Sequence, residues 1–193
     1  MKVLFLDNDG VICLSNNWGG RTKKWAKYRS ANPNSSKELK NAPVQYRFDD
    51  FDKKAVKVLN EILEVTGAEI VVSSDWKLHA TLEELGEYYE SQGIIKKPID
   101  LTPNMKDLDE SGYGLFKWKG FYESIRIIEI NEYLKNHPEV THWVAVDDLN
   151  MGIFEYGVGG MNEGGLTNFV LTPKSTEGIK QSGVKEKILK FLK

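Results

Sequence analysis

A single cysteine, Cys13, rules out any internal disulfide. That scarcity fits a reducing compartment. Histidine is nearly as scarce: His79, His137 and His142 lack metal-ligand spacing and read as structural or surface residues. No apolar run reaches the roughly 20 residues that a membrane span needs, and the N-terminal one is too short for a signal peptide. Excess charge is missing too. The net is −2, so any attraction to nucleic acid or an anionic surface must be local. The glycine-rich run from Gly157 to Gly165 lacks the Gly-Lys-Ser/Thr ending of a phosphate loop and reads as a flap. These absences predict a soluble, cytoplasmic protein with no membrane association and no evident obligate protein partner.

What is present supports a folded core. Hydrophobic residues make up 40% and charged residues 28% of the 193-residue chain, enough for one domain with an insertion. Val3-Leu4-Phe5-Leu6 is apolar throughout, as a central parallel strand covered on both faces would be. Asp49 and Asp50 read as the cap of a helix carrying Phe51, Ala55, Val58, Leu59, Ile62 and Leu63, stopped by Gly67. Glu69–Ser73 is a second strand, followed by a helix through Leu78, Leu82, Leu85 and Tyr89. Residues 94–121 read as loop, followed by a helix through Ile125, Ile128, Tyr133 and Leu134. A strand at 142–146, one at 168–171 and a helix at 183–192 complete the series. Strand and helix in alternation predict an α/β fold, a three-layer Rossmann-like parallel sheet.

Such sheets bind ligands beyond the carboxyl ends of their strands. Three of those ends carry acids or hydroxyls: Asp7 and Asp9, then Ser73, Ser74 and Asp75, then Asp147 and Asp148. Two adjacent carboxylates repel by roughly 4 kcal/mol at 4 Å and an effective dielectric of about 20. A cation or a retained proton must offset that. Hard carboxylate oxygens suit Mg²⁺ with a phosphate ester. One carboxylate can then attack phosphorus while its neighbour acts as acid and base. The bland reading of Asp7-Asn8-Asp9-Gly10 is a strand followed by an ordinary turn. The second acid pair after a second strand weighs against it.

These motifs resemble the haloacid dehalogenase (HAD) superfamily of phosphotransferases. The first is an apolar strand leading to Asp-x-Asp-Gly-Val, matched at residues 3–11. The second is a strand-ending Ser or Thr, matched at Ser73 with Ser74 as the alternative. The fourth is an apolar strand ending in Asp, matched at Asp147 and Asp148. The resemblance implies Asp7 as nucleophile, Asp9 as acid/base, and Ser73 on a phosphoryl oxygen. It implies Mg²⁺ on Asp7, the Asp9 carbonyl and Asp148, with or without Asp147. Ser73-Ser74-Asp75-Trp76-Lys77, Leu101-Thr102-Pro103 and Arg126-Ile127-Ile128-Glu129-Ile130 are similar to the HAD branch of nucleic-acid repair proteins and polynucleotide 3′-phosphatase domains. In that branch an Arg opening a Glu-Ile helix implies Arg126 as the third-motif cation, with Lys117 and Lys119 as alternatives. Lys77 stands where the branch usually has Arg, and the two are not equivalent at a bidentate phosphate contact.

The resemblance covers residues 1–12 and 49–193 as a core and leaves 13–48 as a small cap or substrate-contact insertion. Within it, residues 21–29 hold five cations and two aromatics. Arg21, Lys24 and Trp25, with Ser74 and Lys77, are candidate substrate contacts, Trp25 or Tyr28 stacking on a base. The plain alternative is a basic helix face with its aromatics in a small core of their own. The expected activity is a Mg²⁺-dependent phosphomonoesterase acting through an aspartyl-phosphate on a nucleotide or polynucleotide end. A small metabolite such as a sugar phosphate is the alternative substrate, and a non-catalytic phosphate-binding relative the alternative role. A signalling receiver carries its acid pair after the first strand and its acceptor later, the reverse of the order here.

Overall fold

Side-chain alternation along the first strand decides the layers. The computed structural model describes residues 1–35, 37–104, 121–152 and 165–193. Strand β1 (Lys2–Leu6) sits mid-sheet, between β2 (Glu69–Val72) and β4 (His142–Asp147). With β3 (Asp100–Leu101) beyond β2 and β5 (Phe169–Leu171) beyond β4, the sheet reads β3-β2-β1-β4-β5 and every pairing is parallel. Leu4 and Leu6 of β1, Ile70 and Val72 of β2, and Val144 and Val146 of β4 face one side. There they meet α2 (Lys53–Thr66), α3 (Leu82–Ser91) and α5 (Val184–Leu192) through Leu59, Tyr89 and Ile188, among others. Val3, Phe5, Val71 and Ala145 face the other side, against Ile127, Ile130 and Tyr133 of α4 (Phe121–Asn136). The result is the α/β sandwich that the alternating pattern predicts.

Three local readings changed. Helix α2 is capped by Asp52, whose carboxylate accepts from Lys54 N and Ala55 N at 3.0 and 2.9 Å. Asp49 is used elsewhere: it accepts from Gly19 N at 3.1 Å and Arg21 N at 2.5 Å, holding the start of a different helix, α1 (Gly20–Ala31). Any of these aspartates can cap a helix, and the tertiary path decides which helix start each one meets. Helix α3 opens at Leu82 with a Thr81–Glu84 capping box, while Asp75–Leu78 forms a separate 3-10 turn with Leu78 exposed. Strand β3, inside a stretch that reads as loop, is two residues long, too short for a period to show.

Helix α1 has no fully buried residue and so no apolar periodicity; it is the basic helix face named as the plain alternative, with Trp25, Tyr28 and Tyr46 packed together. The segment that follows it does enter the core. Ala42, Val44 and Phe48 are buried. Phe48 alone contributes roughly 1.5–3 kcal/mol by leaving water. Arg47 ties the same segment to α3 through two bonds to the Glu84 carboxylate, 2.8 and 2.6 Å. Among the described residues no helix is long and apolar enough to cross a membrane. Lys117, Lys119 and the glycine-rich run from Gly157 to Gly164 lie outside the described residues.

Candidate active site

Register carries the acids to one place. Leu6 pairs with Val72 on one side and Val146 on the other, so Asp7, Ser73 and Asp147 end their strands side by side. The ladder runs on one step: Asp7 N donates to Val146 O and Ser73 N to Leu6 O. Beyond Asp7 the chain folds into a tight loop, with Ile12 N and Cys13 N both donating to Asn8 O and Gly10 N to Cys13 O. Asn8 points to the opposite face, where Tyr89 OH donates to its Oδ1 at 2.6 Å. Gly10 has φ +70, and a Cβ there would lie 2.2 Å from Asp148 Oδ2. Glycine lets the Asp148 carboxylate settle directly over the loop.

One oxygen from each of Asp7, Asp147 and Asp148 lies within 4.8 Å of the others. Arg126 of α4, itself buried, reaches this cluster. Its Nη1 donates to Asp7 Oδ1 at 2.8 Å, to Asp147 Oδ2 at 3.2 Å and to the Ser73 carbonyl. Its Nη2 donates to Asp75 Oδ1 at 3.2 Å. An open cleft of about 250 Å³ is lined by Asp7, Asp9, Ser74, Asp75, Arg126, Asp148 and Leu149.

The charge balance is lopsided. Burial pushes the Asp7 carboxyl up to about 6; Arg126 pulls against it while Asp148 and Asp9 add to it. Burial raises Asp147 well above the ordinary range, with the Asp7 charge in support and Arg126 opposed. Asp148 is raised by burial and then by Asp9. Asp9 is also raised by burial, against hydrogen bonds from Trp76 and Cys13 and the charge of Arg21. Among the described residues Asp7, Asp9, Asp75, Asp147 and Asp148 surround one buried guanidinium, so the site has room for further positive charge. Three convergent carboxylate oxygens are a donor set that suits a hard divalent ion such as Mg²⁺.

Two buried hydroxyls, Ser73 Oγ and Ser74 Oγ, have no hydrogen-bond partner among the described residues. Leaving a buried hydroxyl unpaired costs about 1–3 kcal/mol. Ser74 lines the cleft; Ser73 is not among its lining residues and offers its carbonyl to Arg126.

The remaining sequence candidates divide. Arg21, exposed at the start of α1, is near enough to Asp9 for its charge to pull that carboxyl's pKa down, against the effect of burial. Lys24 pairs with Asp50 at 2.7 Å. Trp25 stacks on Tyr28 at 5.5 Å, and Tyr28 packs on Tyr46 at 4.4 Å. Lys77 is buried away from the cleft lining, donating to Thr102 Oγ1 at 2.8 Å, to Pro103 O at 3.0 Å and to Glu129 Oε2. Glu129 lies three residues beyond Arg126 on α4, so this ion pair fixes the helix that carries the guanidinium. Burial lowers the Lys77 ammonium pKa, with Glu129 working against it.

Sequence reading missed two contacts to the first loop: Tyr89 OH on Asn8, and Trp76 Nε1, which donates to Asp9 Oδ2 at 2.8 Å. A tryptophan one residue past a strand-end Ser-Ser-Asp was the available signal, since a buried indole N–H must find an acceptor.

A family model described as the HAD domain in Swiss Army Knife RNA repair proteins matches residues 3–182. No curated protein and no solved structure matches the chain.

Proposed function

The chain belongs to the HAD domains of RNA repair proteins, and on that premise we propose that it is a phosphomonoesterase acting on a nucleotide or polynucleotide phosphate end. The observation that carries this reading is the convergence of Asp7, Asp9, Asp147 and Asp148 at two adjacent strand ends with buried Arg126. Asp7 is the nucleophile: its carboxylate oxygen bonds to phosphorus as the ester P–O bond breaks. Asp9 gives its proton to the departing oxygen, then takes one from the water that releases phosphate from Asp7. Arg126 holds Asp7 in place. The Ser74 hydroxyl, buried without a partner among the described residues and lining the cleft, donates to a phosphoryl oxygen in place of the Ser73 hydroxyl that the motif implied. Asp7, Asp147 and Asp148, with the Asp9 carbonyl, would hold Mg²⁺, which when bound neutralises phosphoryl charge. Segment 13–48 acts as the substrate-contact insertion, and Arg21, whose charge reaches Asp9, is its contact to the substrate phosphate.

The test is phosphate release from a 3′-phosphorylated oligonucleotide, mononucleotides and sugar phosphates, each with Mg²⁺ and with EDTA. Release from the oligonucleotide or mononucleotides, lost in EDTA, is expected. Turnover of sugar phosphates alone would overturn the substrate, and inertness toward every ester would overturn the activity.

A further inference from the structure

Charge alone gives Trp76 no role, yet it makes a well-defined contact to the Asp9 carboxyl. The indole N–H to Oδ2 distance is 2.8 Å. The ring is 5% exposed. It stacks on Phe48 at 4.1 Å and 8°, lies 5.4 Å from Phe51 at 20°, and meets Tyr88 edge-on at 5.8 Å. Packed among these rings, the indole has little freedom to turn its N–H elsewhere. An indole N–H only donates. Oδ2 therefore accepts whether or not the carboxyl carries a proton, and the mobile proton belongs on Oδ1.

We propose that Trp76 is a positioning residue that holds Asp9 with Oδ1 turned to the leaving-group oxygen, and that segment 13–48 sets this geometry by stacking Phe48 on the indole. The inference rests on the phosphomonoesterase reading and extends it. As Asp7 bonds to phosphorus and the ester P–O bond breaks, the proton on Oδ1 passes to the leaving oxygen and Asp9 becomes a carboxylate. The attacking water later returns a proton to the same oxygen. A sugar or alkyl oxygen needs that proton to leave. A nitrophenolate, stable as an anion, does not.

That difference supplies the test. Two proteins replace the donor: Trp76→Phe, and full-length protein with β-(3-benzothienyl)alanine at position 76, which keeps the bicyclic shape and puts sulfur where the N–H was. For each, kcat and KM are measured with a 3′-phosphorylated oligonucleotide and with p-nitrophenyl phosphate, alongside thermal unfolding. The oligonucleotide kcat/KM, which reports the step in which the leaving group departs and not the hydrolysis common to both esters, should fall about 10–100-fold, and the nitrophenyl kcat/KM less than about 3-fold. The benzothienylalanine protein should unfold within a few degrees of the natural one. An equal fall in kcat/KM for both esters in that protein, or no fall in either, overturns the inference while leaving the phosphatase reading intact. Natural protein inert toward both esters overturns that reading and this inference with it.

Discussion

Helices α4 and α1 both bring cations toward the acidic cleft, and they do so in opposite ways. α4 delivers one guanidinium, Arg126, buried and bonded to Asp7, Asp147, Asp75 and the Ser73 carbonyl. A second buried pair one turn away, Lys77 with Glu129, holds the helix in place. α1 carries five cations, Arg21, Lys23, Lys24, Lys27 and Arg29, and none of its residues is fully buried. Its register is set from outside, by the Asp49 carboxylate on its first turn and by Tyr28 against Tyr46. A desolvated charge is costly to move, so α4 presents a fixed geometry suited to orienting a nucleophile. Exposed charges act through a screened field and tolerate movement, which suits holding a large anionic substrate.

The sharpest way to probe the fixed side is Asp7→Asn. It keeps the shape and hydrogen-bonding length of the side chain and removes the nucleophile. Turnover should drop by about 10³-fold or more, with the fold retained by circular dichroism. Undiminished turnover would remove Asp7 from the chemistry and the fixed side from the comparison.

Arg126→Ala comes next. It leaves Asp7 and Asp147 buried without their guanidinium, and urea denaturation should show a loss of about 3–5 kcal/mol along with lost turnover. A loss below about 1 kcal/mol would mean that the buried cluster does not depend on this charge, and the contrast between the helices would fail. Gly10→Ala is smaller. It places a methyl group where the Asp148 carboxylate lies and strains a positive φ. Isothermal titration should show Mg²⁺ binding weakened about 10-fold. Unaltered Mg²⁺ binding would take Asp148 out of the metal set.

The smallest effect belongs to the exposed side. Arg21→Ala should shift unfolding free energy by less than about 0.5 kcal/mol. It should raise KM for a phosphorylated oligonucleotide about 3–10-fold at low salt, with the difference shrinking as salt is added. A salt-independent effect would make Arg21 a fixed group like Arg126, and the two helices would no longer differ in kind.

The strand ends were legible because they obey short-range rules. A fully apolar strand, acids at its end and a glycine at the turn are local facts, and apolar residues running into an acid pair recur at Asp147-Asp148. Arg126 was singled out by the family resemblance of its Glu-Ile helix, beside Lys117 and Lys119, and its guanidinium does reach Asp7. Lys77 read as a cation for phosphate, and nothing local revealed that Glu129, far along the chain, would accept from it. Trp25 and Tyr28 read as stacking platforms for a base, but the nearest flat surface for Tyr28 is Tyr46. α1 was legible only as the plain alternative, a basic helix face with its aromatics packed together, because a helix with no fully buried residue leaves no hydrophobic period to find.

By itself the sequence determined the parallel sheet, the alternation of its faces and the kinds of atoms at its carboxyl edge, since each follows from residue types two to four positions apart. Tertiary structure alone decided the partners. It selected which aspartate caps which helix, which serine lines the cleft, and which lysine is spent on holding α4. It also placed an indole on the Asp9 carboxyl. Those choices depend on register and packing between segments tens of residues apart, where burial makes each unpaired polar group costly and so leaves few ways to satisfy them together.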